Sequence, residues 1–324
     1  VTTPDRTGIH DPGVPTIVLL ATGGTIAARS GAAGAQPVVS GGDLAGQAAG
    51  APDVPIRVRD LAAADSAALT PADQDAVRRA VADALVDPAV GGVVILHGTD
   101  TLEETAMLID LSHTDPRPVV ITGAQRSNDH PDADGPANLG LAIATAADPA
   151  ARGRGVLLAF AGSVMPVRGI IKADTTAAAA FTGPLRPLAR IPVAPADIAA
   201  HRVDIIALHP GADSAMLDWH ATQGARAIVL QANGSGNTHP YIVGAVGRLT
   251  ADGVVVVVST RVPFGPVEAV YGGGGGAVDL VAAGAIISTW LRPPQARIAL
   301  MALLAAGADT AAIADFFRRT VPEP

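Results

Sequence analysis

The sequence contains no cysteine. That absence excludes disulfides, a thiol nucleophile and every cysteine-based metal site. Aromatic side chains are scarce, at 3% of a chain that is 49% hydrophobic. Much of the apolar content is alanine, and a core of Ala, Val, Leu and Ile with many glycines suits helices lying close against a sheet. Long hydrophobic runs are missing. Stretches such as Val254–Val258 are strand-sized, far below the roughly 20 residues that cross a bilayer as a helix, so no membrane partner is expected. Basic clusters are missing as well, and the net charge is −8. An acidic surface of this kind argues against binding nucleic-acid phosphates. The opening stretch Val1–Pro15 is polar and proline-rich, without the apolar core of a signal peptide, so a cytoplasmic location is expected.

Lysine is the most informative scarcity. Lys172 is the only one, and the other 21 of the 22 Lys and Arg side chains are arginine. A guanidinium does not give up its proton, whereas a desolvated ammonium can. A composition that writes arginine everywhere else marks Lys172 as a position needing a titratable amine.

At 324 residues the chain exceeds what one core usually serves, so two domains are expected. Pro15–Ala21, Gly92–His97, Pro118–Thr122 and Gly155–Phe160 are continuous apolar runs, each closed by Gly and small polar residues. Such runs read as buried parallel strands with loops at their carboxyl ends. Helices fall between them. Thr70-Pro71 opens one, with Val77, Ala80, Val81, Ala84 and Leu85 on its inner face. Thr101-Leu-Glu-Glu104 reads as a capping box for another, with Leu102, Ala106 and Ile109 turned inward. The expected architecture is α/β: a larger N-terminal domain over 14–183 with a mainly parallel sheet, a proline-rich linker over 184–202, and a smaller parallel α/β domain over 203–324. The second domain takes strands at Val203–Leu208, Ala227–Gln231 and Gly253–Ser259, and a helix from about Pro294 to Ala306. The glycine run Gly272–Gly276 reads as a mobile loop; without a following Lys-Ser/Thr it does not read as a phosphate-binding loop.

Ligands of open parallel sheets bind beyond the carboxyl ends of the strands. Two loops qualify, Thr22-Gly-Gly-Thr25 and Gly98-Thr99-Asp100-Thr101. Both offer hydroxyls, glycines that let backbone approach a ligand, and N–H groups able to cradle an oxyanion. A Gly-Gly turn after a first strand also occurs in dinucleotide sites, but the full G-x-G-x-x-G spacing is absent here. A threonine hydroxyl attacks only when a base takes its proton. Thr99, Asp100 and the lone lysine supply hydroxyl, carboxylate and base. His97, His113, His130, His209 and His239 lack ligand spacing and read as structural or surface residues, so no metal or cofactor is expected.

Several longer motifs carry a resemblance. Ala21–Ala27 (ATGGTIA), Leu96–Ala106 (LHGTDTLEETA), Asp132–Leu139 (DADGPANL), Gly234–Asn237 (GSGN), Ser259–Pro263 (STRVP) and Pro293–Ala305 (PPQARIALMALLA) occur in unbroken order. Together they resemble the bacterial-type L-asparaginase family from about Thr16 to the C-terminus, and cytoplasmic and actinobacterial members more than the secreted ones. The resemblance implies hydrolysis of L-asparagine to L-aspartate and ammonia through an acyl-enzyme. It makes Thr25 the nucleophile, with Gly24 beside it in the substrate loop, and Thr99, Asp100 and Lys172 a second catalytic set. It gives Asp100 the substrate α-amino group and Ser66 the α-carboxylate. It implies a homotetramer built as a dimer of dimers, in which Asn237 reaches the neighbouring subunit's site.

Three positions depart from the family pattern. Arg29–Gly42 lacks the lid tyrosine of many members, and Gln36 and Pro37 stand in that region. Ala67 follows Ser66 where secreted members have a glutamine, and a glycine of the 272–276 run falls where they place a glutamate, with Glu268 and Tyr271 nearby. Fewer polar partners for one ammonium imply weaker substrate binding. Glutaminase-asparaginase or broader ω-amidase activity, an ammonia-donating amidotransferase subunit and a non-catalytic ligand sensor are the alternatives. The sensor has no need of a titratable lysine, and only about 15 residues precede the first strand, where an amidotransferase subunit carries a further domain.

Overall fold

We obtained a computed structural model of the protein, which describes residues 15–32 and 34–323. Residue 14, the expected start of the first domain, and the polar stretch before it lie outside these residues.

The chain opens with β1 (Thr16–Gly23), a small ribbon of β2 (Ala28–Arg29) and β3 (Gln36–Pro37), and the short helix α1 (Gly41–Ala45). β4 (Ile56–Ala64), α2 (Pro71–Ala84), β5 (Val90–Leu96), α3 (Leu102–Ser112), β6 (Val119–Thr122), α4 (Gly135–Ala147), β7 (Val156–Phe160) and β8 (Ser163–Pro166) follow, then a second ribbon of β9 (Ile171–Lys172) and β10 (Phe181–Thr182). The main sheet runs in the order β4-β1-β5-β6-β7-β8. It is parallel except for β8, which returns antiparallel to β7. β1 shows why the apolar runs are continuous. Val18 and Leu20 enter the core under α2 and α3, while Ile17, Leu19 and Ala21 enter the opposite core under α1 and α4. A strand covered on both faces needs apolar residues at every position.

The second sheet is parallel throughout, in the order β11-β12-β13-β14. Its elements are β11 (Val203–Ala207), α5 (Ala215–Thr222), β12 (Ala227–Ala232), α6 (Pro240–Ala251), β13 (Val255–Thr260), α7 (Ala277–Ala282), β14 (Ile286–Ile287), α8 (Pro293–Ala305) and α9 (Thr310–Arg319). α5, α6 and α7 cover one face, and α8 and α9 the other. The expected α/β class with two parallel sheets is the observed one. Residues 184–202 form no regular element but are packed: Leu188, Val193 and Ile198 join a core that also takes Met107, Leu108 and Leu111 of α3 and most of the inner face of α8.

Four local readings change. β4, with its sequence IRVRDLAAA, is an edge strand that the sequence pattern did not indicate. β14 likewise adds a fourth strand to the second sheet. Thr101 does not cap α3 with its side chain. Its hydroxyl donates to Ser66 O at 2.9 Å, a tertiary bond that holds the side chain where it accepts from no amide of α3. The capping box belongs to α2, where Thr70 and Asp73 satisfy each other's backbone. The glycine run is a hydrogen-bonded turn: Gly274 N and Gly276 N donate to Asp279 Oδ2 at 2.8 and 2.9 Å, and Gly275 O accepts from Thr238 N at 2.7 Å. A side chain at Gly276 would collide with Tyr271 O, so close backbone approach explains glycine there.

Candidate active site

The five parallel strands of the main sheet follow the order β4-β1-β5-β6-β7, so successive connections leave β1 and β5 in opposite directions. The crevice outside such a switch point is the usual ligand site of an open α/β sheet. β1 ends at Gly23 and β5 at Leu96. The two loops singled out by sequence therefore leave neighbouring strands at the switch point.

They touch through glycines. Gly24 has φ +78°, a left-handed conformation, and a Cβ built on it would lie 2.5 Å from Gly98 N. A Cβ on Gly98 would in turn lie 2.6 Å from Ser66 Oγ. Gly24, Thr25, Ser66, Thr99 and Asp100 consequently line one cavity of about 180 Å³. Ala28, Ala35 and Pro37 form its wall on the β2–β3 side. Larger hollows exist beside Asp110 and Arg168 and beside Leu44 and Asp60, but none of the sequence-predicted residues lines either. The smaller cavity has the chemistry.

Thr25 opens a single 3₁₀ turn over Thr25–Ala27 and is half-buried. The Gly24 N–H donates to Ala64 O at 3.0 Å, so Gly24 contributes backbone shape and its amide is already engaged. Thr99 is buried. Lys172 reaches it from the β9–β10 ribbon: Nζ donates to Thr99 Oγ1 at 2.9 Å and to Asp100 Oδ1 at 2.7 Å. Asp100 is the exposed member of the set, its side chain 57% accessible against 18% for Lys172. Thr99 Oγ1 also makes a long 3.5 Å contact to Gln125 Oε1. Ser66 is 2% exposed, and its hydroxyl has no hydrogen-bond partner among the described residues. Lining the cavity, this hydroxyl is placed to bond a polar group of a ligand there.

Asn237 lies elsewhere. It follows β12, pairs backbone to backbone with Asn233, and does not line the cavity. Of the predicted residues, six come together through the cavity and the lysine contacts, and Asn237 does not join them.

Several residues around the site were not given a place in it by the sequence. Asp134 accepts from Gln125 N, Arg126 N and Asn138 Nδ2 at 3.0, 2.9 and 3.1 Å. Asn138 Nδ2 also donates to Gly123 O at 3.0 Å, and its Oδ1 accepts from Ala161 N at 2.9 Å. The DADGPANL motif thus shapes the turn that presents Gln125 to Thr99. Glu103 is buried, and its Oε2 accepts from Lys172 N at 2.7 Å. Burial pushes its carboxyl up to about 7, only partly offset by that hydrogen bond. His97, fully buried beside Gly98, is held down to about 4 by desolvation. Its Nδ1 meets Gly98 O at 2.7 Å and its Nε2 has no partner among the described residues.

Hydroxyls beside an amine and a carboxylate, at a cleft with turn amides nearby, form the apparatus of covalent acyl transfer. The comparisons with known proteins agree with that class. The family model "Asparaginase, N-terminal" matches residues 16–203, and "Glutaminase/Asparaginase C-terminal domain" matches residues 202–317. The probable L-asparaginase of Deinococcus radiodurans is 32% identical, covering 95% of this chain and 98% of its own. The L-asparaginase of Bacillus licheniformis is 29% identical over 89% and 95%, and the glutaminase-asparaginase of Pseudomonas fluorescens 28% over 77% and 76%. The chain belongs to the asparaginase family and is an amidohydrolase.

Proposed function

We propose that the protein hydrolyses L-asparagine to L-aspartate and ammonia with Thr25 as nucleophile. The observation that carries this reading is the Lys172 amine set between Thr99 Oγ1 and Asp100 Oδ1, at 2.9 and 2.7 Å, with Thr25 lining the same cavity as Thr99. Thr25 Oγ attacks the side-chain amide carbon, and its proton passes through Thr99 to Lys172, which takes it as the neutral amine and becomes an ammonium beside Asp100. The oxyanion meets backbone N–H groups of the Thr25 and Thr99 turns, because the Gly24 amide is engaged with Ala64. The C–N bond breaks, the leaving nitrogen takes the proton back from Lys172 through Thr99, and ammonia departs. Water then attacks the Thr25 ester and releases aspartate. The Ser66 hydroxyl, without a partner among the described residues, suits the α-carboxylate, and the exposed Asp100 carboxylate suits the α-amino group.

Further parts of the reading follow the family resemblance: a cytoplasmic homotetramer, a dimer of dimers, with Asn237 serving a neighbouring subunit's site, and domains over 14–183 and 203–324 joined by 184–202. The aliphatic wall of Ala28, Ala35 and Pro37 leaves proton transfer from Thr25 to the Thr99–Lys172 pair. A glutaminase-asparaginase among the relatives makes L-glutamine the competing substrate. Ammonia release from L-asparagine, D-asparagine and L-glutamine, compared by kcat/KM, tests the assignment. A clear preference for L-asparagine supports it. Equal rates with L-glutamine shift it to the broader activity, and release from none of the three overturns it.

A further inference from the structure

Lys172 sits on a strand of two residues, and its partner strand is also two residues long. So short a ribbon does not hold a side chain in place by its own ladder. The anchoring comes from outside. The Lys172 backbone N–H donates to Glu103 Oε2 at 2.7 Å, while its Nζ donates to Thr99 and Asp100. Residues 99–103 therefore grip the lysine at both ends. Behind Glu103 stands Gln295 of α8, 1% exposed. Its Nε2 donates to Glu103 O at 3.1 Å and Val167 O at 2.7 Å, and its Oε1 accepts from Gly169 N at 2.6 Å. One amide joins the first turn of α3 to the turn that leads into the lysine's strand.

The buried Glu103 carboxyl offers Oε2 as an acceptor for this N–H whether neutral or ionised, and the bond strengthens when the group ionises. The charged groups around Glu103 are Glu104 on its own helix and Lys172 opposite. α8 contributes the neutral Gln295, and its Arg297 acts on Glu104. Glu103, Glu104, Gln295 and Arg297 do not line the cavity.

We propose that Glu103 and Gln295 are positioning residues for Lys172, the carboxylate fixing the lysine's backbone and the amide locking both of its supports from the C-terminal half of the chain. This rests on reading Lys172 as the proton-handling group. Because Lys172 is the only lysine, its placement can be measured without reference to activity: reductive methylation followed by peptide mass spectrometry reports a single ε-amine, told from the terminal α-amine by the peptide that carries it. In Glu103→Ala the methylation rate of Lys172 is expected to rise at least about threefold and kcat to fall about 10- to 100-fold, the loss that a displacement of about 1 Å causes, with KM within about twofold. Glu103→Gln keeps an acceptor for the same N–H and restores both readings toward wild type. Unchanged methylation and kcat in Glu103→Ala overturn the proposal, as does a parallel decline of kcat, KM and melting temperature with unchanged methylation. If Glu103→Ala does not fold, Gln295→Met is judged by the same criteria. Full activity in Lys172→Arg would instead remove the catalytic reading, while the methylation rates still decide whether Glu103 and Gln295 hold the lysine.

Discussion

Gly24 and Gly98 meet backbone to backbone: a Cβ on Gly24 would lie 2.5 Å from Gly98 N, and Gly24 already has φ +78°. Gly24→Ala therefore meets both a strained dihedral, costing about 1–3 kcal/mol, and a collision with main chain that cannot rotate away. The melting temperature is expected to fall by several degrees and kcat to fall further than stability alone explains, since Thr25 is the next residue. Calorimetry and ammonia-release kinetics on the same preparation check this. Wild-type kcat in Gly24→Ala would show that the two loops separate freely.

Thr25→Ala removes the proposed nucleophile, and Lys172→Arg replaces an amine with a group that keeps its proton. Each is expected to lower kcat by about a thousandfold or more, and the double variant to be little worse than either single one, because groups acting as one unit are non-additive. Thr25→Ser, which keeps a hydroxyl, is expected to retain part of the activity. Additive losses would mean that the two residues serve separate steps.

Ser66→Ala deletes a buried hydroxyl that has no hydrogen-bond partner among the described residues. Stability is expected to stay level or rise. KM is expected to increase about tenfold or more, the equivalent of one hydrogen bond to a charged group at about 1.5–3 kcal/mol. A drop in melting temperature with unchanged KM would assign Ser66 to structure alone.

His97 and Glu103 pull the pH dependence of stability in opposite directions. Burial lowers His97 to about 4 from 6.5. Between those values the unfolded chain binds more protons, so this contribution makes stability rise with pH. Burial raises Glu103 to about 7 from 4.5. Between those values the folded chain binds more protons, so this contribution makes stability fall as pH rises. Each is on the order of 3 kcal/mol at full extent, and they largely cancel between pH 4.5 and 6.5. Melting temperature across that range is expected to climb with pH in Glu103→Gln and to decline in His97→Gln. Parallel curves for both variants and wild type would refute the assignment of these two groups.

Much of this architecture was legible because parallel strands buried on both faces write continuous apolar runs, as Thr16–Gly23 and Val156–Phe160 do. β4 was not legible because an edge strand carries Arg57, Arg59 and Asp60 among its apolar residues, which breaks the run. Lys172 was legible by count, since one lysine among so many arginines needs a reason. Glu103 and Gln295 were not. Their partners lie 69 to 192 residues away, and no local pattern encodes a contact at that separation. The supposed capping box at Thr101 failed for the same reason: its hydroxyl serves Ser66 O, 35 residues away.

The core shared by α3, residues 188–198, α8 and α9 has a consequence for how the chain can be cut and recombined. Two sheets suggest two interchangeable modules, yet α3 of the first half and α8 of the second pack into one core with residues 188–198. A chimera joined near residue 203 would have to match Met107, Leu108 and Leu111 against a foreign α8, and would also need a glutamine at 295 to meet Glu103 and Val167. The halves are therefore expected to melt in a single transition, and the seam between them to change only as a matched pair.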